Sequence, residues 1–213
     1  MWKPVTVPNL LQKAYPKRRW SIPNVSNHIF LTFDDGPIPE LTPWVLEQLH
    51  RFEAKATFFC IGDNVAKHPK IAQQLLKEGH AIGNHTQHHL NGWKTSRTSY
   101  QKEVTDCEQT MLNVLQEKPK YFRPPYGKMT SSQARAVLAK GYDIVMWSIL
   151  SYDYDMTVSE EACLQNVLNH MVPGSVIVFH DSLKAEKKLR FVLPKVLEQI
   201  REKGWKAVSL SSV

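Results

Sequence analysis

The chain has 213 residues, of which 42% are hydrophobic and 22% are charged, and these values are typical of one globular domain with a substantial core. Its formal net charge is +7, but the basic residues are scattered apart from residues 17–19 and accompany no nucleic-acid-binding motif, so we expect no nucleic-acid partner. No apolar stretch approaches the length of a transmembrane helix, and the three widely spaced cysteines predict free thiols rather than disulfides or a CxxC zinc site.

Residues 1–27 contain four prolines and no clear hydrophobic periodicity, so we expect an irregular N-terminal leader ahead of one domain over residues 28–213. The leader lacks the apolar segment of a signal peptide, because Leu10 and Leu11 are followed closely by Lys13 and a basic cluster. The absence of such a segment points to the cytoplasm, whereas a signal peptide missing from this sequence would point to an extracellular or cell-wall-associated protein, so the compartment stays open.

The domain is predicted to begin with a short strand that ends in two acidic residues. Residues 29–33 are mainly β-branched or aromatic, and Gly36-Pro37 lets the chain turn away behind Asp34 and Asp35. Two carboxylates this close repel each other unless a cation lies near them. A metal ion would let one carboxylate act as a ligand while the other stays free as a base. The alternative is that the two aspartates only start a turn, as Asp-Gly pairs often do.

Further strands and helices alternate along the rest of the chain, as judged from hydrophobic periodicity, helix caps and C-terminal glycines. The predicted strands cover residues 29–33, 56–61, 80–84, 121–123, 144–147, 176–179 and 206–210. The predicted helices cover residues 43–52, 64–78 with a break at Pro69, 99–116, 131–140, 160–170 and 188–203.

The alternation predicts an α/β fold with parallel strands, since parallel neighbours need helical crossovers. Seven such units favour a closed or nearly closed barrel, with an open doubly wound sheet as the alternative. The barrel is favoured because the residues capable of chemistry all follow strands, and the carboxyl ends of barrel strands meet on one face, where the active site lies. These residues are Asp34, Asp35, His85, His89, residues 123–126, Asp153, His180 and Asp181.

Three histidines after the third predicted strand can complete a metal site. His85 and His89, four residues apart, would share one face of a helical turn, but His85 and His88 could do the same, so spacing leaves the choice open. Two imidazoles and one carboxylate leave positions open for water and substrate, which is typical of a catalytic site. Zinc suits this ligand set best, and cobalt, nickel, iron or manganese are alternatives.

Five motifs occur in order along the chain: Thr32-Phe33-Asp34-Asp35-Gly36-Pro37, His85-Thr86-x-x-His89, Arg123-Pro124-Pro125-Tyr126, Ser151-x-Asp153 and Val178-x-His180-Asp181. Their order and content resemble those of the polysaccharide deacetylases, also called the NodB-homology or carbohydrate esterase 4 family. The resemblance spans roughly residues 28–210. It implies a distorted (β/α)7 barrel and metal-dependent removal of acetyl groups from N-acetylated sugars.

The resemblance also implies roles for the residues of the first two motifs. By that pattern Asp34 is the general base, and Asp35, His85 and His89 hold the metal ion. This choice selects His89 over His88.

The remaining motifs resemble the parts of the family's site that handle charge and protons. Arg123 would orient and tune the base, and the backbone N–H of Tyr126 would help to bind the oxyanion. His180 would be the general acid, held and kept protonated by Asp153. One position departs from the family pattern, because Tyr154 stands where a Trp is usual.

The expected partner is an acetylated oligo- or polysaccharide, such as a chitooligosaccharide or peptidoglycan, and the expected state is a monomer. O-deacetylation of an acetylated polysaccharide is the nearest alternative. Hydrolysis of a non-sugar amide on the same barrel would be favoured by longer lid loops than those predicted here. An inert carbohydrate-binding domain is a further alternative, but no catalytic position has been replaced.

Overall fold

The computed structural model describes residues 4–212 of the chain. Within these residues the chain forms nine β-strands, and every pair of hydrogen-bonded strands is parallel. The strands are β1 (Arg18–Arg19), β2 (His28–Asp34), β3 (Thr57–Cys60), β4 (Ala81–Asn84), β5 (Tyr121–Phe122), β6 (Asp143–Val145), β7 (Ile149–Leu150), β8 (Val176–His180) and β9 (Lys206–Ala207).

The strands lie in the order β1-β6-β5-β4-β3-β2-β8-β7, and β9 pairs with the start of β2. The sheet curls and helices cover its outer face. The predicted α/β architecture, a distorted (β/α)7 barrel of parallel strands, is therefore confirmed. The helices are α1 (Asn9–Ala14), α2 (Thr42–Arg51), α3 (Gly62–Lys67), α4 (Pro69–Lys77), α5 (Arg97–Leu115), α6 (Ser131–Ala139), α7 (Glu160–Leu168) and α8 (Glu186–Glu202).

Strand β2 shows how the sequence separates the inside of the barrel from the helix layer. Successive side chains of a strand point to opposite faces. Ile29, Leu31 and Phe33 pack outward into the large core shared with the helices, whereas Phe30 belongs to the smaller apolar cluster inside the barrel. The same alternation turns Thr32 and the final residue of the strand, Asp34, inward, and both are almost fully buried.

Most helix boundaries follow signals in the sequence. Thr130 and Gln133 form a reciprocal capping box that starts α6, and the hydroxyl of Ser159 accepts a hydrogen bond at the start of α7. Pro69 separates α3 from α4, as predicted, because proline cannot donate the backbone hydrogen bond of a continuous helix. The three cysteines are buried and free, also as predicted. No helix within residues 4–212 is long and apolar enough to span a bilayer.

The described part of the predicted leader is more regular than expected and belongs to the barrel. Residues 4–27 contain α1 and β1, and β1 pairs with β6. Thr6 bridges Ile149 of β7 in an antiparallel pair, and the backbone N–H of Met146 donates to the carbonyl of Arg19 at 2.7 Å. The prediction of an irregular segment is therefore wrong for this stretch. Periodicity could not reveal β1 or β7, because each has only two residues.

The barrel seam explains this arrangement. Strand β7 ends the hydrogen-bonded path on one side, and β6 would end it on the other side if β1 did not pair with it, so without the N-terminal segment both strands would present open edges. The N-terminal segment contacts both edges and places Trp20, only 7% exposed, in a cluster with residues of α5 and β6. Residues 4–22 thus cover the gap between the two edges.

This packing predicts that the leader contributes to stability. Trp20→Ala should lower the free energy of unfolding by about 3–5 kcal/mol, because it removes a large buried side chain. Urea denaturation would measure the change. Leu10→Ala is the matched control, since Leu10 is 81% exposed and its loss should change the free energy by no more than about 0.5 kcal/mol. Equal, small effects of the two changes would mean that the segment is not part of the folded unit.

Candidate active site

A cleft of about 710 Å³ opens at the carboxyl ends of the strands. This is the face where barrel loops carry function. The predicted site residues that line the cleft are Asp34, Asp35, His85, His89, Tyr126 and His180. The two other predicted residues, Arg123 and Asp153, are fully buried and contact the lining residues from behind.

Asp35, His85 and His89 form a compact group with the chemistry of a metal site. One ligand atom from each lies within 4.8 Å of the others. Asp35 Oδ1 is 3.3 Å from Nε2 of His89 and 3.9 Å from Nε2 of His85. This buried oxygen has no hydrogen-bond partner among residues 4–212. A buried carboxylate oxygen without a donor, facing two imidazole nitrogens, fits a bound divalent cation.

The ring of His85 is oriented for ligation by the main chain. Its Nδ1 lies 2.7 Å from the carbonyl oxygen of Arg123, so the Nδ1–H donates there and the Nε2 lone pair faces the carboxylates. Burial, with a smaller contribution from His89, lowers the pKa of His85 to about 3 and keeps the imidazole neutral. Nε2 of His85 also lies 3.9 Å from Oδ2 of Asp34, so the second aspartate borders the same space.

The histidines do not lie on a helical turn, so the geometric reason given from their spacing is wrong. The chain from residue 85 to residue 89 is a loop in which Thr86 and His89 have left-handed backbones, with φ of 66° and 57°. His88 points away from the cleft and contacts Glu103, with 3.0 Å between Nδ1 and Oε1. The structure thus brings His89, and not His88, to Asp35.

Left-handed backbone conformations concentrate in this site. Asp35 has a φ of 85°, and Tyr126 has a φ of 59°. A non-glycine residue in this region costs about 1–3 kcal/mol and persists only where its surroundings hold it. The loops therefore orient these residues toward the cleft, and the left-handed backbones lower the free energy of unfolding.

Asp34 is held by a buried ion pair. Nη1 of Arg123 donates to Oδ1 of Asp34 at 2.7 Å and to the hydroxyl of Thr32 at 2.7 Å. The rest of the guanidinium donates to the carbonyls of Val145, at 3.2 Å, and Met146, at 2.7 Å. Because the hydrogen bond from Nη1 of Arg123 occupies Oδ1 of Asp34, Oδ2 remains the oxygen that can accept a proton from a molecule in the cleft.

A second buried carboxylate holds His180. Asp153 accepts hydrogen bonds from Nδ1 of His180 at 2.8 Å and from its backbone N–H at 2.7 Å. Burial alone lowers the pKa of His180, but the charge and hydrogen bond of Asp153, with the charges of Asp35 and Asp34, outweigh it and raise the pKa to about 9. His180 is therefore an imidazolium at neutral pH, and Nε2 is the N–H that Asp153 leaves free for a bound molecule.

Aromatic rings form the walls of the cleft. The ring of Tyr126 packs on His89 with 4.6 Å between centroids, and Tyr154 meets His180 edge-on at 4.8 Å. Trp147 packs over Gly127, where a Cβ would lie 2.6 Å from the indole, so no larger residue fits. Aromatic walls beside a polar floor suit a sugar ring, which has apolar faces and polar edges.

Several contacts around the predicted residues were not foreseen from the sequence. Phe59 lies under the guanidinium of Arg123, with Cζ 4.0 Å from the ring centroid. The side-chain amide of Asn64 donates to the carbonyl of Asp35 at 2.8 Å. Of the residues that contact Arg123, Thr32 could have been found from the sequence, because it lies two residues before Asp34 and so points to the same face of the strand.

Comparison with known proteins gives a consistent family match. The polysaccharide deacetylase family profile matches residues 22–145. Two peptidoglycan-N-acetylglucosamine deacetylases of Bacillus cereus are similar to the chain. One is 36% identical over 186 residues, covering 87% of this chain and 67% of the relative. The other is 33% identical over 198 residues, covering 91% of each.

A solved structure extends the match to the whole fold. It is the crystal structure of a peptidoglycan N-acetylglucosamine deacetylase in complex with 4-naphthalen-1-yl-N-oxidanyl-benzamide. It superposes with a TM-score of 0.89 at 34% sequence identity and covers 97% of this chain and 96% of its own.

The geometry predicts which of the three histidines are needed for metal binding. His89→Ala and Asp35→Ala should each reduce zinc bound by the protein at least tenfold, because each removes one of three candidate ligands. Metal content after dialysis, measured by atomic emission, would test this. His88→Ala is the matched control and should leave metal content unchanged. Loss of zinc in His88→Ala with retention in His89→Ala would contradict the assignment.

Proposed function

Because the chain belongs to the polysaccharide deacetylase family, we propose that it is a metal-dependent hydrolase that removes N-acetyl groups from an acetylated glycan. One observation carries the proposal. A free carboxylate oxygen on Asp34 and a protonated His180 line the same cleft as the group Asp35, His85 and His89. Hydrolysis of an amide needs a base, an acid and an electrophile, and these groups can supply all three.

Asp35, His85 and His89 would hold one divalent ion, and zinc fits a set of two nitrogens and one oxygen best, with cobalt, nickel, iron or manganese as alternatives. When bound, the ion supplies Lewis-acid chemistry that polarises a carbonyl and acidifies water. Within residues 4–212 the group consists of these three side chains, and three protein ligands leave coordination positions open for water and substrate.

The protein's own residues would move the protons. Oδ2 of Asp34 accepts a proton from the attacking water while Arg123 keeps Oδ1 engaged. The C–O bond forms at the acetyl carbon, and the backbone N–H of Tyr126 binds the oxygen that becomes negative. Loss of one such donor typically costs about 10²–10³ in rate. Nε2 of His180 then protonates the amine as the C–N bond breaks, because an unprotonated amine leaves poorly.

The pairing of His180 with Asp153 favours an amide over an ester as substrate. An ester releases an alcohol that needs less help from an acid, whereas an amine must be protonated to leave. A buried carboxylate that makes two hydrogen bonds to His180 keeps that proton available. The relatives named above act on N-acetylglucosamine in peptidoglycan, so we propose this glycan first and a chitooligosaccharide second. O-deacetylation and hydrolysis of a non-sugar amide remain alternatives.

Acetate release tests the proposal directly. Wild-type protein loaded with zinc should release acetate from peptidoglycan or N-acetylated oligosaccharides, and a chelator should stop it. Asp34→Asn should lower kcat by about 10²–10⁴, the range for loss of a general base, and should keep nearly the wild-type metal content. No acetate from any N-acetylated glycan, or full activity in Asp34→Asn, would overturn the proposed function.

The raised pKa of His180 predicts the alkaline limb of the pH profile. Activity should fall as the pH rises and His180 loses its proton. Asp153→Asn removes the anion and keeps the shape, so the pKa should fall and the limb should move to lower pH. The measurement is kcat/KM for acetate release between pH 6 and 10.

A substrate comparison separates the acid from a structural role. His180→Ala should slow amide hydrolysis far more than hydrolysis of activated aryl acetates, whose leaving groups depart without a proton. An equal loss on both substrates would mean that His180 binds substrate or the oxyanion and is not the acid.

A further inference from the structure

The strand that carries His180 is followed by a second buried carboxylate that the proposed reaction does not use. Asp181 is 1% exposed, and its side chain accepts hydrogen bonds from the backbone N–H of Gly36, at 3.0 Å, and from the hydroxyl of Thr42, at 2.6 Å. Since neighbouring side chains along a strand point to opposite faces, His180 faces the cleft and Asp181 faces the loop before α2. Both partners of Asp181 belong to the segment that follows the two aspartates.

Thr42 extends the contact further along this loop. Its hydroxyl accepts a hydrogen bond from the backbone N–H of Ile38 at 2.9 Å and donates one to Oδ2 of Asp181. The hydroxyl therefore does not cap α2 in the usual way. The carboxylate fixes the loop directly at Gly36 and, through Thr42, at Ile38. The backbone N–H of Asp181 adds a third contact, since it donates to the carbonyl of Asp34 at 3.1 Å.

Asp35 depends on such ties because its backbone is left-handed. On one side its N–H donates to the carbonyl of Phe59 at 3.3 Å, and the amide of Asn64 donates to its carbonyl at 2.8 Å. On the other side the next residue, Gly36, lies against Asp181. A Cβ on Gly36 would lie 1.9 Å from Oδ2 of Asp181, so this approach is possible only for glycine.

We propose that Asp181 is a positioning residue for the metal-binding carboxylate. By fixing Gly36 and the link from Thr42 to Ile38, it holds the loop so that Oδ1 of Asp35 points at the two histidines. This inference rests on the metal site of the proposed function. Asp181 itself touches neither the cation nor the substrate.

Zinc affinity of the metal-free protein tests the inference without any measurement of activity. Asp181→Asn keeps the shape of the side chain but places an NH₂ group against either the N–H of Gly36 or the hydroxyl of Thr42, both of which are donors. Calorimetric titration with zinc chloride should give a Kd about 10–100-fold weaker than wild type, the usual cost of losing an outer contact of a metal site. Thr42→Val, which removes the hydroxyl without changing the shape, should also weaken zinc binding. Thr42→Ser should restore it to near the wild-type value.

A control separates positioning from stability. The hydroxyl of Tyr121 donates to the carbonyl of Leu210 at 2.9 Å, a buried hydrogen bond away from the cleft. Tyr121→Phe should lower the melting temperature of the metal-free protein and leave the zinc Kd unchanged.

The outcomes are distinct. If Asp181→Asn binds zinc as tightly as wild type, or loses no more affinity than Tyr121→Phe, Asp181 only supports the fold and the inference is wrong. If Asp181→Asn does not fold, the pair Thr42→Val and Thr42→Ser decides, and equal zinc affinity of the two overturns the inference. A wild-type protein that binds none of zinc, cobalt, nickel, iron and manganese would refute the proposed metal site itself, before any variant is compared.

Discussion

The buried ion pair between Arg123 and Asp34 is the interaction on which the rest of the site depends. A charge inside a protein is tolerable only when partners replace the water it has lost, and breaking such a pair from one side typically costs about 3–5 kcal/mol. The Arg123 side chain meets this requirement with hydrogen bonds to β2 and to the end of β6. Its backbone carbonyl accepts a hydrogen bond from Nδ1 of His85. One residue thus joins three parts of the barrel and orients groups from two motifs.

The two neighbouring aspartates show how little chain is needed to separate two roles. Asp34 is the last residue of β2 and points inward by the ordinary alternation of a strand. Asp35 leaves that alternation through a left-handed backbone, which turns its carboxylate toward the histidines instead of the helix layer. The guanidinium contacts the first carboxylate, and within residues 4–212 Oδ1 of the second has no hydrogen-bond donor, which suits a cation.

Much of this could be predicted from the sequence because the relevant signals are local. The apolar run before Asp34, the proline break at Pro69 and the motif residues each report on their own neighbourhood. The features that could not be predicted are those that depend on tertiary contacts or on loop conformation. The two-residue strands β1 and β7 exist only because partners lie beside them, and spacing gave no basis for preferring His89 to His88 until the loop conformation was known. The partners of Asp181 likewise come from the far end of the sequence.

The seam described above has a consequence for how the chain is made. β2 can pair with β3 soon after both have been synthesised, but its other partners, β8 and β9, come near the end of the chain. The N-terminal segment is made well before its partners in β6 and β7. Contacts of such long sequence separation slow folding, because the chain must close large loops before it gains from them. A nascent chain therefore leaves backbone N–H and C=O groups along one edge of the mostly apolar strand β2 unpaired for most of its synthesis, and that edge is where a partly made barrel is open to aggregation.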